Sequence, residues 1–312
     1  MDRREFLRKL AGFGAAGAAL LLDRGVGRLW AEGGKDTAAL KAGAPPDLVA
    51  VKGGDLAAML DRAIGEFGGM GAFVRRGQTV VIKPNIGWDT PPEAAATTNP
   101  RLVKRLVEHC LDAGAKKVWV FDHSCDSGPR CYASSQVERY AKEGGAIVVP
   151  GESSSLYHEV SVPGAARLRK AMVHELVVEA DVFINVPVLK HHSGAGMTCA
   201  MKNLMGIVWD RGQFHREDLD QCIADIGLFR RPSLNVVEAW KVMLSGGPRG
   251  NVASRYSEPR MLMLSRDMVA VDAASAKVLG AEPSGFGYIA KAEERGLGIQ
   301  DLAKLRVSRL TM

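Results

Sequence analysis

The sequence is poor in the residues that mark disulfide-rich and cluster-binding proteins. It has 312 residues and five scattered cysteines, which form no CxxC pair. Neither a complete disulfide framework nor an iron–sulfur or zinc-knuckle motif is therefore written in it. Aromatic residues make up 6% of the chain and do not interleave with basic ones. With a formal net charge of only +6, nucleic acid is not a predicted partner.

Nucleotide-binding glycine motifs are also missing. The two small-residue loops, residues 194–196 and 246–250, are neither a GxGxxG motif after a strand nor a Walker motif. Glycine in these loops instead indicates tight turns, or a close approach of the backbone to a ligand.

A hydrophobic run long enough to span a bilayer comfortably is missing too. A shorter charge-free stretch, residues 10–22, follows the basic segment DRREFLRK and suits the core of a signal peptide. Arg3 and Arg4, with Phe6 and Leu7 after them, resemble the twin-arginine export signal. Residues 1–31 are therefore predicted to be a twin-arginine signal peptide. No good cleavage site precedes Ala31, so an uncleaved membrane anchor is the alternative.

The export signal implies a location and a set of partners. The resemblance implies passage through the twin-arginine translocase to a periplasmic or other extracytoplasmic location. This route carries folded proteins, often with a cofactor already installed, so it favours a divalent metal or a redox partner protein. An oxidising location also permits a disulfide, for which Cys125 and Cys131 are the nearest neighbours.

The rest of the chain alternates between helix and strand patterns. Residues 32–52 have the composition of a linker, and residues 53–312 are predicted to form a single α/β domain, with two subdomains as the alternative. Residues 55–67 and 99–113 have helical patterns, and residues 78–82 and 117–121 have strand patterns. Residues 151–170 are predicted to be irregular or to form a small insertion. The alternation predicts a mainly parallel sheet with helices on both faces and a site at the C-terminal strand ends.

Polar side chains follow many of the predicted strands, and in one parallel sheet they would meet at one edge. They are Lys83, Asn85, Asp122, His123, Lys190, His191, His192, Glu238 and Asp267. A helix opened by Asn99 would point free N–H groups to the same edge, which suits an anion. The predicted ligand is a small carboxylate or phosphate, and the predicted ligand-binding residues are Lys83, Asn85, Asn99, Lys190 and Asn203.

Catalytic and metal-binding residues are predicted from the same region. Lys202, His191 and His192 are the catalytic candidates, although adjacent residues of an extended chain point to opposite faces, so one histidine at most should face the site. His215, Asp210 and Asp225 could supply a mixed site for a divalent metal. Otherwise the histidines are candidates for general acid–base catalysis.

Residues 79–307 resemble the family named domain of unknown function 362. The resemblance is carried by VVIKPN, TTNPRLV, DAGAKKVWVFDHS, ADVFINVPVLKHH, GMTCAMKNLMGIV, GPRG and RDMVAVDAASAKVLG, in this order. It implies an α/β fold without a firm reaction. Many members carry a fused ferredoxin-like module with CxxCxxC runs, which this chain does not have.

One segment, HHSGAGMTCAMKNLMG, is similar to a segment of the lactate racemase family. That likeness implies that Lys202 anchors a nickel pincer nucleotide and that His191 or His192 is the nearby acid–base group. Three functions therefore stay open. They are a metal-dependent or redox-related enzyme for a small anion, a non-catalytic binding or redox-complex assembly protein, and a pincer-cofactor racemase.

Overall fold

The structure is a computed structural model that describes residues 44–312 together with Gly27 and Leu29. Apart from these two positions, the predicted twin-arginine signal lies outside the described residues, as does most of the predicted linker. Within the described part of the chain, no helix has the length and apolar character needed to cross a membrane.

Strands and helices alternate along the chain. The strands are β1 (Leu48–Lys52), β2 (Thr79–Pro84), β3 (Lys117–Val120), β4 (Ile147–Val148), β5 (Tyr157–Ser161), β6 (Lys170–His174), β7 (Val182–Val186), β8 (Val188–His192), β9 (Gly196–Thr198), β10 (Leu234–Met243), β11 (Tyr256–Ser257), β12 (Met261–Ser265) and β13 (Val307–Thr311). The α-helices are α1 (Leu56–Glu66), α2 (Pro100–Asp112), α3 (Gly128–Ser134), α4 (Val137–Glu143), α5 (Glu175–Glu179), α6 (Ala200–Asn203), α7 (Gly212–Glu217), α8 (Leu219–Phe229), α9 (Met268–Val278) and α10 (Gly287–Glu294).

One large sheet organises the described residues. Its strand order is β13-β1-β12-β10-β7-β2-β3-β4, and β8, β9 and β11 extend it beside β10. Every neighbouring pair along this order is parallel except the two that involve β12. The predicted α/β class with a mainly parallel sheet is confirmed.

The sheet separates two apolar cores. Val80 and Ile82 of β2 face one core, which also contains buried residues of α1, α2 and α4. Val81, between them, faces the other core, together with residues of α8, α9 and α10. Successive strand residues point to opposite faces. An apolar run that is buried on both sides therefore requires helices on both faces, as the strand patterns predicted.

Local signals define the two helices beside β2. The Asp55 carboxylate accepts the N–H of Ala57 at 2.9 Å and caps α1. Asn99 caps α2 by accepting the N–H of Arg101 at 3.0 Å, and Pro100 occupies the first turn. Gly114 follows α2 with φ of +90°, a conformation that suits glycine. These boundaries agree with the sequence predictions.

Two sequence predictions need correction. The predicted linker, residues 32–52, includes β1, which pairs with β12 on one side and β13 on the other. The glycine- and proline-rich surroundings concealed its buried run, Leu48 to Val51. Residues 151–170, predicted to be irregular or a small insertion, contain β5, which forms an antiparallel pair with β6.

Replacing Val49 by Asp will distinguish a core strand from a linker at this position. Val49 is completely buried, so a carboxylate there has no water around it, and we expect the free energy of unfolding to fall by at least roughly 3 kcal/mol. Urea denaturation checks this. Ala44→Asp, at an exposed position just before the strand, is the matched control. Equal stability of the two variants would contradict the strand.

Candidate functional site

A cavity of about 260 Å³ opens at the C-terminal ends of β2, β3 and β8, which is where ligands bind in open parallel sheets. We call it the lysine cavity. It is lined by Lys83, Asn85, Gly87, Trp88, Asp122, His123, Cys125, Lys190, His192, Ser193, Thr198, Lys202, Asn203, Met205, Gly206, Arg211, His215 and Pro248. The structure thus brings together most of the residues predicted from the strand ends.

A buried ion pair lies in the wall of the lysine cavity. The Lys83 ammonium is 2.7 Å from an Asp122 carboxylate oxygen, and both side chains are almost fully buried. Lys83 also donates to the Pro84 carbonyl and to the Asn203 side chain, each at 2.9 Å. Two hydrogen bonds and one ion pair thus surround an ammonium group that has three N–H donors. Lys83, predicted to bind ligand, is therefore occupied within the protein, and it neutralises the one carboxylate that lines the cavity.

Amide side chains connect this pair to the neighbouring strands. The Asn203 carbonyl oxygen accepts from Asn85 at 2.9 Å, and its amide nitrogen donates to Asn185 at 2.8 Å. Asn185 in turn donates to Asn235 at 3.0 Å. Because the polar atoms of Asn85 and Asn203 are used inside the protein, these two residues orient the lysines. Asn203 keeps no polar atom for a ligand, whereas the Asn85 amide nitrogen has a second N–H for which the described residues provide no acceptor.

Lys190 is buried, and its ammonium group uses only some of its hydrogen-bond donors. Its ammonium donates to the Asn85 side chain at 3.1 Å and to the Ala96 carbonyl, which leaves one N–H unassigned. Burial, the largest influence, lowers the pKa of Lys190 to about 7. The positive charges of Lys202 and Lys83 act in the same direction. Lys190 therefore changes its charge near neutral pH.

Lys202 differs from both of these lysines. Its side chain is partly exposed to the lysine cavity, and its ammonium has no hydrogen-bond or ion-pair partner among the described residues. The surrounding protein nevertheless removes much of its hydration, and this burial lowers the pKa of Lys202 to about 8. The nearby charges of Arg211 and Lys83 lower it as well.

The segment that carries Lys202 is fixed by a buried carboxylate that sequence reasoning did not assign. Asp272 of α9 accepts the N–H of Ala200 at 2.7 Å and that of Met201 at 3.2 Å, which caps α6. Burial raises the pKa of Asp272 to about 7. The signal that could have found it is a lone acid within the apolar helix MVAVDAASAKV.

Arg211 is a second residue that the sequence patterns missed, because it lies in an irregular turn before α7. Its guanidinium donates to the carbonyls of His123 at 2.9 Å and Ser124 at 2.6 Å, and it lies 3.0 Å from the Cys125 sulfur. His123 itself stacks on Trp209 with parallel rings 4.9 Å apart. Arg211 thus stabilises the loop after β3 through hydrogen bonds and adds a positive charge to the cavity.

The two adjacent histidines separate as predicted, with one of them at the cavity. His192 lines it, and its Nδ1 atom accepts the N–H groups of Gly194 at 3.0 Å and Ala195 at 3.1 Å. Burial, with the charges of Lys202 and Lys190, lowers the pKa of His192 to about 2. His192 is therefore neutral at pH 7, with its proton on Nε2, and acts as a fixed donor instead of a proton shuttle.

His191 does not line the lysine cavity. Its Nδ1 atom accepts the N–H of Gly247 at 3.2 Å, in the loop between β10 and β11. Burial lowers the pKa of His191 as well. The predicted catalytic role of His191 therefore has no contact in this structure to support it.

The three predicted metal ligands do not meet. Asp225 accepts the N–H groups of Arg167 at 2.7 Å and Leu168 at 3.0 Å, and Asp210 pairs with Arg216 on the surface at 2.6 Å. His215 alone of the three lines the lysine cavity. Among the described residues, no three His, Cys, Asp or Glu side chains are grouped so that they could hold a metal. The predicted metal site is therefore not formed by these residues.

One further ligand-binding prediction, Asn99, and two strand-end predictions need correction. Asn99 caps α2 and is not part of the cavity lining. Glu238 lies within β10, because that strand continues to Met243. Asp267 follows β12, the strand of reversed direction, so it lies at the opposite edge of the sheet, where it caps α9. Cys125 and Cys131, for which a disulfide was considered, are both free thiols, the first exposed and the second buried.

Together these features define the class: an α/β protein with a cation-lined cavity at the C-terminal ends of its parallel strands. The family model described as domain of unknown function (DUF362) matches residues 80–277, well over half of the chain. The chain belongs to this family, as the sequence motifs indicated.

The chain is also similar to a curated protein and to solved structures. It is 26% identical over 265 residues to a thylakoid-associated protein of Synechocystis sp., covering 78% of this chain and 76% of that protein. The lactate racemase apoprotein from Thermoanaerobacterium thermosaccharolyticum superposes with a TM-score of 0.41 at 13% identity, over 68% of this chain and 54% of that one. A protein from Thermotoga maritima gives 0.39 at 11% identity, over 72% and 57%.

Gly206 is packed directly against the Lys83–Asp122 pair. A Cβ atom at this position would lie 2.1 Å from an Asp122 carboxylate oxygen and 2.6 Å from the Lys83 ammonium. The ammonium donates to Asn203, and the other oxygen of the same carboxylate accepts the N–H of Ile86, so neither side chain can move aside without losing a partner. The ion pair therefore requires glycine at residue 206.

Gly206→Ala should lower the free energy of unfolding by about 1–3 kcal/mol, because the added methyl group overpacks a buried pair. Chemical denaturation measures the change. Gly71→Ala is the control, since a Cβ atom there meets nothing within 4 Å. If the Gly206→Ala protein is as stable as the control, the close contact is not a constraint.

Proposed function

We propose that this protein is an exported enzyme that binds a small anionic molecule in the lysine cavity. The observation that carries the proposal is the Lys202 ammonium, which faces the cavity without a partner among the described residues. An unpaired cation in a partly desolvated site attracts an anion strongly, because the surrounding dielectric is low.

The balance of charge around the cavity supports an anion. Its lining contains four Lys or Arg side chains and a single carboxylate, Asp122, which is paired with Lys83. Lys190, Lys202 and Arg211 therefore remain to complement a ligand. A volume of about 260 Å³ lies below the range for drug-sized ligands and suits a small carboxylate or phosphate compound.

The perturbed lysines favour an enzyme over a non-catalytic binding or assembly protein. A binding protein needs only fixed positive charge, which lysines with ordinary pKa values supply. Here the pKa values of Lys190 and Lys202 are about 7 and about 8, which suit proton transfer or nucleophilic attack near neutral pH. Binding without turnover of any small carboxylate or phosphate would favour the non-catalytic alternative.

The nickel pincer nucleotide implied by the racemase-like segment fits this cavity only in part. Lys202 offers a free amine where an anchor would be needed. The histidines do not fit: the Nδ1 atoms of His191 and His192 accept backbone N–H groups, so in each neutral ring the proton is on Nε2. Neither ring presents a free lone pair to a metal, so these two histidines are not suited to hold the nickel of this cofactor.

Replacing Lys202 by Ala should weaken binding of phosphate or lactate by about tenfold to a hundredfold, the value of one or two charge-assisted hydrogen bonds. Titration calorimetry measures the dissociation constant. The fold should remain intact, because the Lys202 ammonium contacts no described partner. Lys117→Ala, at an exposed lysine on the opposite end of β3, is the control. Unfolding of the Lys202 variant would make this residue structural instead.

The location outside the cytoplasm is proposed from residues 1–31 alone. Replacing Arg3 and Arg4 together by Lys should block export, because the twin-arginine route is characterised by its arginine pair. Cell fractionation would then find the protein in the cytoplasm. A second protein with Arg24 and Arg28 replaced by Lys keeps the same charge and should still be exported. Normal export of the first variant would contradict this route.

A further inference from the structure

We propose that Lys202 is a nucleophile that forms an imine with the carbonyl group of a small oxo-carboxylate, so that oxo-acids are the substrate class of the lysine cavity. This inference rests on the proposed anion-binding function and adds the covalent step to it. Three features support it: the availability of the amine, the charges around it and the groups that remain for a carboxylate.

Of the three lysines that line the cavity, one has an amine without a partner in the described part of the chain. Lys83 donates to Pro84 and Asn203 and forms an ion pair with Asp122. Lys190 is buried and donates to Asn85 and Ala96. Lys202 has no partner among the described residues, so its nitrogen can approach a carbonyl carbon without breaking an existing bond.

The charges around Lys202 favour the neutral, nucleophilic amine. Burial lowers its pKa to about 8; Cys125 opposes this by favouring the charged form, while the cations Arg211 and Lys83 lower the pKa further. Asp122, the carboxylate that could restore the charge, is held by Lys83 at 2.7 Å. A desolvated lysine beside other cations is a recognised way to activate an amine for imine formation.

The remaining polar groups suit the other end of an oxo-acid. Arg211 and Lys190 are cations that line the same cavity and can balance a carboxylate. His192 stays neutral and holds its proton on Nε2, so it offers a neutral hydrogen-bond donor to a carbonyl or carboxylate oxygen. A substrate with an anionic group beside an electrophilic carbonyl uses both kinds of contact.

The covalent step is a condensation without a redox change. The neutral Lys202 nitrogen attacks the carbonyl carbon and forms a C–N bond, and the carbonyl oxygen is protonated to give a carbinolamine. The C–O bond of the carbinolamine then breaks, and the oxygen leaves as water. The two hydrogens of this water replace in number the two that the amine gives up. The C=N bond that remains is protonated to the iminium ion. The carbon skeleton and the carboxylate are unchanged, and the only by-product is water.

Reductive trapping tests the proposal on the full chain. Pyruvate or oxaloacetate is added with sodium borohydride, and intact mass and peptide mapping locate any adduct. We expect one adduct per chain, on the peptide that contains Lys202, and at least a tenfold lower yield in Lys202→Ala. Lys117→Ala should react as the unaltered protein does. Labelling spread over surface lysines, and equal in the Lys202 variant, would overturn the proposal.

Lys202→Arg separates the imine from simple anion binding, because arginine keeps the charge and cannot form the imine. We expect this variant to bind lactate, which has no carbonyl to attack, within about threefold of the unaltered protein and to give no adduct. If lactate and pyruvate bind but nothing is trapped, the imine fails and the anion-binding function stands. If neither ligand binds, both proposals fail.

The pH dependence gives an independent readout. Lys190 and Lys202 are charged below pKa values of about 7 and about 8, so lactate affinity should fall as the pH rises from 6 to 9, a range chosen to bracket both values. Imine formation needs the neutral amine, so the trapping rate at saturating pyruvate should rise over the same range. Parallel pH profiles would contradict the proposed role of Lys202.

Discussion

The Lys83–Asp122 ion pair is the interaction on which the rest of the site depends. A buried charge is costly unless a partner and hydrogen bonds compensate for it, and here Ile86, Pro84 and Asn203 complete the set. The pair joins the ends of β2 and β3 to the C-terminal residue of α6, Asn203. Since it also neutralises the one carboxylate in the cavity lining, the space above it keeps a positive potential.

The three lysines of the cavity are chemically alike but have different roles. Lys83 is held by an ion pair, Lys190 donates two hydrogen bonds, and Lys202 has no partner in the described part of the chain, although all three line one cavity. Distant contacts decide these roles: Asn203 orients Lys83, and Asp272 holds the short helix that carries Lys202. A change in α9 can therefore alter the chemistry of the cavity without touching a ligand.

Sequence patterns predicted the parts of the structure that depend on periodicity and on the common edge of parallel strands. Lys83, Asn85, Lys190 and the segment of Lys202 meet because β2, β7 and β8 run in one direction. The common-edge rule gave the wrong position for Asp267, because β12 runs antiparallel to its neighbours and the residues of a strand do not indicate its direction in the sheet. Irregular turns, such as the one that carries Arg211, have no period, and spacing alone could not show which carboxylates serve helix caps or surface pairs.

The pairing of β1 with β13 has a consequence for how the protein is made. Asp47, just before β1, binds Arg306, just before β13, and these two residues are 259 positions apart. On the ribosome, β1 emerges long before the strands on either side of it, β12 and β13. One flank of the sheet therefore stays open until β12 and β13 have been synthesised, and an apolar strand must avoid aggregation during that interval.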